Sequence, residues 1–199
     1  MTAKRQTQPI PPPRERIIAA AAELFQKQGI RGVGVEAIAE AADTNKMTLY
    51  RHFASKDELI AEWARGIVEQ KEAEWEELSA KHPGDPTGQL QEWSRRVAAK
   101  LAALERRGSM LANALAELPD RDHPARRVIQ AHKLREHKRI QQLCQEAGFP
   151  DPDLSANLFF LLLEGAFSCV QCTGIKRVGE DLVRLVDRMV ANSQQQRQS

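Results

Sequence analysis

The chain has 199 residues, of which 28% are charged, 42% hydrophobic and 5% aromatic, with a formal net charge of +2. That length allows one large or two modest helical domains, and the near balance of charge excludes a polybasic, histone-like binder. Three cysteines and the lack of an N-terminal apolar h-region are read as a soluble protein of a reducing cytoplasm.

The charge is unevenly placed. Residues 1–56 carry nine Lys and Arg against five Asp and Glu, while the remainder is slightly acidic. A basic segment on an acidic body fits local binding of phosphates.

In chain order, residues 1–12 read as a disordered, Pro-rich arm. Arg14–Gln28 follows as a helix with Ile17, Ile18, Ala21, Leu24 and Phe25 on one stripe, stopped by Gly29. Val35–Ala42 has helical spacing, and Ala42-Asp43-Thr44-Asn45 reads as a tight turn. Asn45–Phe53 is then a short helix with two faces. Leu49 and Phe53, four apart, form an inward apolar pair. Lys46, Met47, Tyr50 and Arg51 share a second face suited to base edges, and Thr48 and His52 add donors for phosphate oxygens. Two short helices joined by such a turn form a helix-turn-helix, whose second helix enters the major groove. Ser55 caps the next helix, with Glu58 completing a capping box. Lys56 stands at its positive end, where a cation calls for a nearby anion such as phosphate.

Strand signals are almost absent, so the predicted fold class is all-α: a three-helix head and a larger helical body. Lys56–Lys81 is a long helix carrying Leu59, Ile60, Trp63, Ile67 and Leu78. His82–Pro86 reads as a break, followed by a helix over Leu90–Arg107 with Trp93, Val97, Leu101 and Leu104. Ser109–Leu118 is short. Ala125–Glu146 has a thin apolar stripe of Val128, Leu134, Ile140 and Leu143. The most apolar helix runs from Asp153 or Ser155 to Cys172, and the last spans about Gly179–Ala191. The resulting division is residues 1–12 arm, 13–56 head (turn motif about 34–53), 57–192 body and 193–199 frayed tail.

Five segments carry a family resemblance: Ala20-Ala21-Ala22-Glu23-Leu24-Phe25, Gly29, Ile38-Ala39-Glu40-Ala41-Ala42, Thr48-Leu49-Tyr50-Arg51-His52-Phe53 and Ser55-Lys56-Asp57-Glu58-Leu59. In this order and spacing, residues 14–62 resemble the head of the TetR (tetracycline repressor) family of transcriptional regulators. Two features depart from the pattern. Val33-Gly34 stands where many members place Thr or Ser before the second helix, leaving the Gly34 amide as the phosphate donor. Asp43-Thr44 replaces the usual Gly-Val of the turn. The resemblance implies DNA contacts from Gly34, Asn45, Lys46, Met47, Thr48, Tyr50, Arg51, His52 and Lys56. It also implies a homodimer whose last two helices form a four-helix interface. Leu158, Leu162, Leu182, Leu185, Val186 and Met189 are the candidate interface residues.

Large apolar side chains spread over several body helices could enclose an effector cavity or fill a solid core. Trp63, Trp93, Met110, Phe159, Leu163 and Phe167 would line it, with Asn113, Glu117 or Glu164 as polar groups. An apolar or amphipathic ligand is expected. Glu164 reads first as a structural or interfacial acceptor. Trp75, among glutamates, is expected to be partly exposed. Cys169-x-x-Cys172 reads as packing rather than redox or metal chemistry, because no second pair follows at zinc spacing. His132, Glu136 and His137 read as solvated surface, so no metal or other cofactor is called. No phosphate loop, nucleophile elbow or His-Glu-x-x-His occurs, so an enzyme is disfavoured. The function expected is a ligand-responsive repressor that binds a pseudo-palindromic, double-stranded DNA operator as a dimer. The alternatives are an architectural DNA-binding protein without an effector and a helical enzyme with a helix-turn-helix head.

Overall fold

The computed structural model describes residues 10–103, 108–175 and 177–196. Among them are nine helices and no strand: α1 (Pro13–Gln28), α2 (Val35–Ala41), α3 (Lys46–His52), α4 (Lys56–Lys81), α5 (Pro86–Ala103), α6 (Met110–Glu117), α7 (Pro124–Glu146), α8 (Pro152–Thr173) and α9 (Val178–Gln196). The arm over residues 1–9, the helix end with Leu104 and residues 197–199 lie outside the described residues.

Short polar side chains start the helices. Asn45 accepts the Thr48 amide at 2.9 Å, Ser55 the Glu58 amide at 3.1 Å, and Asp151 the Leu154 amide at 2.9 Å. The reciprocal half of the predicted capping box is not made. The Glu58 carboxylate instead receives a hydrogen bond from Arg65 at 3.0 Å. Between α2 and α3, Asp43 takes a left-handed φ of 49°, a conformation Asp tolerates better than most residues.

Two boundaries differ from expectation. Pro86 opens α5 instead of belonging to a break, because Asp85 accepts the Gly88 amide at 2.8 Å and proline suits the first helical position. The last helix runs on to Gln196, and Ser193 is buried within it, so the predicted tail is helical where described.

Packing divides into two apolar cores. The first gathers Ile17, Phe25, Ile38, Leu49 and Phe53 of the head around Leu59, Ile60, Trp63 and Val68 of α4, with Leu111 of α6 and Ile129 of α7. The second holds Trp75 and Leu78 of α4, Leu90 and Trp93 of α5, Ile140 of α7, Phe159 and Leu163 of α8, and Leu182 and Val186 of α9. Both α4 and α7 cross from one core to the other. Trp75 is buried, not partly exposed: it stacks on Trp93 with ring centroids 6.1 Å apart, and Arg139 covers its other side at 5.3 Å. The glutamates beside it in sequence point elsewhere around the helix.

Leu49 is fully buried and Met47 is 78% exposed on the same helix. Leu49→Ala is expected to cost about 2–5 kcal/mol, and Met47→Ala to stay within about 0.5 kcal/mol. Urea titration followed by circular dichroism checks both, and equal losses would show that the helix faces are misassigned.

Candidate nucleic-acid interface and internal cavity

The head presents α3 on a buried foundation. With Leu49 and Phe53 turned inward, Lys46, Met47, Tyr50, Arg51 and His52 all stand exposed, and Thr48 is partly so. Lys46 lies 6.0 Å from the Tyr50 ring centre and pairs with Glu36 of α2 at 2.6 Å. That pair lowers the Glu36 carboxyl pKa and raises that of the Lys46 ammonium, in both cases through their hydrogen bond first. It also directs a carboxylate toward the face that would meet DNA. Gly34 caps α2 with extended backbone and no side-chain hydrogen bond, as Val33-Gly34 implies. Asn45 spends its carbonyl oxygen on the Thr48 amide and keeps its side-chain amide to donate.

Lys56 is corrected. Its ammonium donates to the Ile30 carbonyl at 2.8 Å and is partly buried, so it ties down the loop after α1 and does not reach outward. A neutral carbonyl answers the cation at the helix start, where the sequence suggested a phosphate. Glu117, at the end of α6, accepts the Arg31 amide at 2.9 Å and so ties down the head loop, while also lining the groove that Trp63, Met110 and Asn113 border. The adjoining Gly29 has φ 76°, and a Cβ there would come within 2.8 Å of that carboxylate.

The predicted pocket residues are divided among more than one space. Trp63 packs edge-on against Phe25 in the first core, with ring centres 5.5 Å apart, and Phe159 is fully buried in the second. Trp63, Met110 and Asn113 border a groove of about 360 Å³ beside the head. Trp93, Leu163 and Phe167 line a different cavity of about 40 Å³, together with Lys71, Lys133 and Glu136. Phe167 and Met110 also line an adjoining space of about 240 Å³ with Ile67 and Leu111. Glu164 borders neither cavity and receives a hydrogen bond from Lys133 at 2.7 Å.

Sequence reasoning missed the polar layer at the seam of the two cores. The inward row of α7 is Ile129, His132, Glu136, Ile140 and Leu143, whereas Leu134 of the predicted stripe is 71% exposed. His132 and Glu136 are therefore buried, not solvated. His132 is 3.1 Å from Glu72, and Lys133 pairs with Glu136 at 3.2 Å. Burial works against the Lys133 ammonium, but Glu136 and Glu164 outweigh it and raise its pKa. Burial also works against the Glu72 carboxylate, and His132 and Arg139 outweigh it, leaving its pKa lowered. Two polar residues at core positions were the available signal. The cations around them in sequence, Lys133, Arg135, Lys138 and Arg139, pointed instead to a solvated face.

The candidate interface residues divide as well. Leu182 and Val186 are buried inside the protomer, where α9 packs on α5, and so are not free for a partner. Leu162 and Met189 are partly covered, and Leu158 and Leu185 are exposed at 42% and 43%. The open stripe on α8 is Leu154, Leu158 and Leu161, continued by Gly165, Cys169 and Cys172. The two cysteines are free and exposed, so a protomer alone does not bury them. By length and composition α8 could cross a membrane. Its other faces are packed on α7 and α9, which a lone spanning helix would not require.

A basic, exposed helix seated on a three-helix core by a tight turn defines a helix-turn-helix protein of the DNA-binding class. Residues 17–63 match the family described as bacterial regulatory proteins, tetR family. The chain is 35% identical over 96 residues to the HTH-type transcriptional regulator AcrR of Shigella flexneri, an alignment covering 47% of this chain and 44% of that one. It is 25% identical over 184 residues to the "Probable acrEF/envCD operon repressor" of Escherichia coli, covering 90% and 84%. A TetR-family transcriptional regulator from Streptomyces coelicolor superposes with a TM-score of 0.84 at 26% identity, over 91% of this chain and 95% of that one. Residues 17–63 thus match the tetR-family DNA-binding region, and the whole chain has the fold of a TetR-family transcriptional regulator.

Burial lowers the pKa of His132 from its ordinary 6.5, against the pull of Glu136 and Glu72. The unfolded chain then binds the proton more readily. Stability is complete above about pH 6.5 and falls as pH drops through that value toward the folded pKa. Unfolding free energies from about pH 7.5 to about pH 5 should decline in the native chain and decline less in His132→Gln. Parallel curves would show that His132 does not carry the slope.

Proposed function

We propose that the protein is a ligand-responsive repressor that binds a pseudo-palindromic operator as a homodimer. The observation that carries this is α3, whose face of Lys46, Met47, Tyr50 and Arg51 is exposed while Leu49 and Phe53 are locked inside. Residues 13–56 act as the DNA-binding head and residues 57–192 as the body that dimerises and holds an apolar or amphipathic effector. Lys46 and Arg51 read base edges. Thr48, His52, the Asn45 amide and the Gly34 backbone meet phosphates. Lys56, bonded to Ile30, is left out of that set. The working place of such a protein is the cytoplasm.

The α8 stripe supports the dimer. Leu154 and Leu161 are 54% and 68% exposed, and pairing this stripe across a two-fold axis would cover it. The two heads would then address successive major grooves about one helical turn apart. A ligand that binds better to a dimer with wrongly spaced heads must weaken operator binding by the same factor that the operator weakens ligand binding.

Selection of bound DNA from a random pool tests the reading directly, and a pool without inverted repeats would sink it. On the selected operator, Arg51→Ala should lose about 1–3 kcal/mol and relax preference at one base pair. Glu36→Gln frees Lys46 and removes a carboxylate facing the DNA, so affinity should rise about two- to tenfold at low salt. Unchanged binding in both variants would remove α3 as the reading helix. Leu161→Glu should give monomers in sedimentation, with the circular dichroism of a folded chain. Val186→Glu should unfold the protomer instead, because its side chain is buried within it.

A further inference from the structure

The body cavity is lined by an excess of cations. The two adjoining spaces of about 40 and about 240 Å³ share Lys71, Glu74, Lys100, Ser109 and Phe167 as walls. Arg96 and Lys133 also line the smaller one, with Glu136. Most of these charges are answered. Lys100 pairs with Glu74, Lys133 with Glu136 and Glu164, and Arg96 with Glu92 and Glu77 at 3.3 and 3.5 Å. Lys71 is different. It makes no hydrogen bond or ion pair with any described residue, although it projects from the middle of α4 between Val68 and Trp75, one in each core. Burial lowers its pKa, Glu136 opposes this, and Lys100 and Lys133 add to the lowering.

An ammonium that is part-buried and has no hydrogen-bond acceptor loses hydration without compensation. An anion placed beside it would recover that cost, with Lys100 and Lys133 reinforcing the attraction. The rest of the space is apolar: Ile67, Leu111, Met110 and Phe167 on one side, Trp93 and Leu163 on the other. We propose that the effector is an amphipathic organic acid, its carboxylate or equivalent anion accepted by Lys71 and its apolar body lying along α6 and α8. A cationic or neutral amphiphile of the same shape leaves Lys71 unanswered. The proposal rests on the reading of the body as an effector-binding unit, and narrows it to one sign of charge.

Calorimetric titration of the full-length protein tests this with matched probes. Octanoate and 1-naphthylacetate supply the anion, octanol and 2-(1-naphthyl)ethanol the same bodies without charge, and octylamine the opposite charge. The acids should bind about tenfold or more tightly than their alcohols, and the amine weakest. Lys71→Met should bring the acids to the level of the alcohols and leave the alcohols unchanged, and Lys71→Arg should restore the preference for acids. Thermal melts of both variants verify folding, and Lys71→Gln replaces Lys71→Met if the latter does not melt cooperatively. Alcohols binding as well as acids, acids unaffected by Lys71→Met, or no probe binding at all would each overturn the proposal. Operator release is measured separately. Acids that bind through Lys71 without releasing operator would sink the repressor reading and leave the anion site standing. Release by the amine alone would do the reverse.

Discussion

A part-buried lysine on the cavity wall, without a hydrogen-bond acceptor, sets the terms for the body of this protein. Lys71 and its neighbours on α7 form a polar layer where an uninterrupted apolar core would otherwise run from head to base. Charged groups there must be paired or solvated, since leaving one bare in a dry interior costs several kcal/mol. Lys133 pairs with Glu136 of its own helix and with Glu164 of α8, and His132 reaches Glu72 of α4 through Nδ1 while its buried Nε2 has no partner. The helices around Lys71 cannot close on it as they close on Trp75 and Leu78 one and two turns later. The cavity and the interruption of the core fall at the same level of the bundle.

The layer lies close to everything that fixes the head. Met110 and Leu111, at the start of α6, line the cavity, and Glu117 at its end holds the Arg31 amide. Lys56 holds Ile30 from the other side of the same loop, and His123 at the start of α7 is 3.3 Å from Asp57. Besides the apolar packing of the first core against α6 and α7, the head is tied through backbone atoms of one short loop and through the first turns of α4.

The head was legible because its information is local. Asn45 and Ser55 announce their helices within three residues, and a single i, i+4 pair, Leu49 and Phe53, orients α3. The body was not legible in the same way. Its helices and most of their bounds follow from apolar spacing and caps, but direction depends on neighbours that the sequence does not name. The α8 helix is apolar nearly all round, so nothing in it distinguished Leu163, which faces the core, from Leu161, which faces out. On α9, Leu182 and Val186 were turned inward by α5, a partner about 90 residues earlier. On α7 the rule that inward means apolar failed at His132 and Glu136, the positions where the fold departs from ordinary packing. Of the six large residues proposed for the pocket, Trp93, Met110, Leu163 and Phe167 line the body cavity while Trp63 and Phe159 pack into the two cores, and the charged part of the wall was not foreseen.

The continuity of α4 has a consequence for how such proteins can be recombined. Its 26 residues run from Lys56 to Lys81 without a hinge, and Leu59, Ile60 and Trp63 complete the core beneath α1 and α3. The reading unit is finished only by residues that belong to the body's longest helix, and the region matched to the family ends at residue 63, within those turns. A chimaera joined at residue 56 would set a foreign head on side chains shaped for another. A junction beyond Val68 would carry the whole lower surface of the head with it, but would cut the helix just before Lys71. Head and body are therefore inherited as overlapping pieces, and the overlap is the stretch of α4 from Leu59 to Val68.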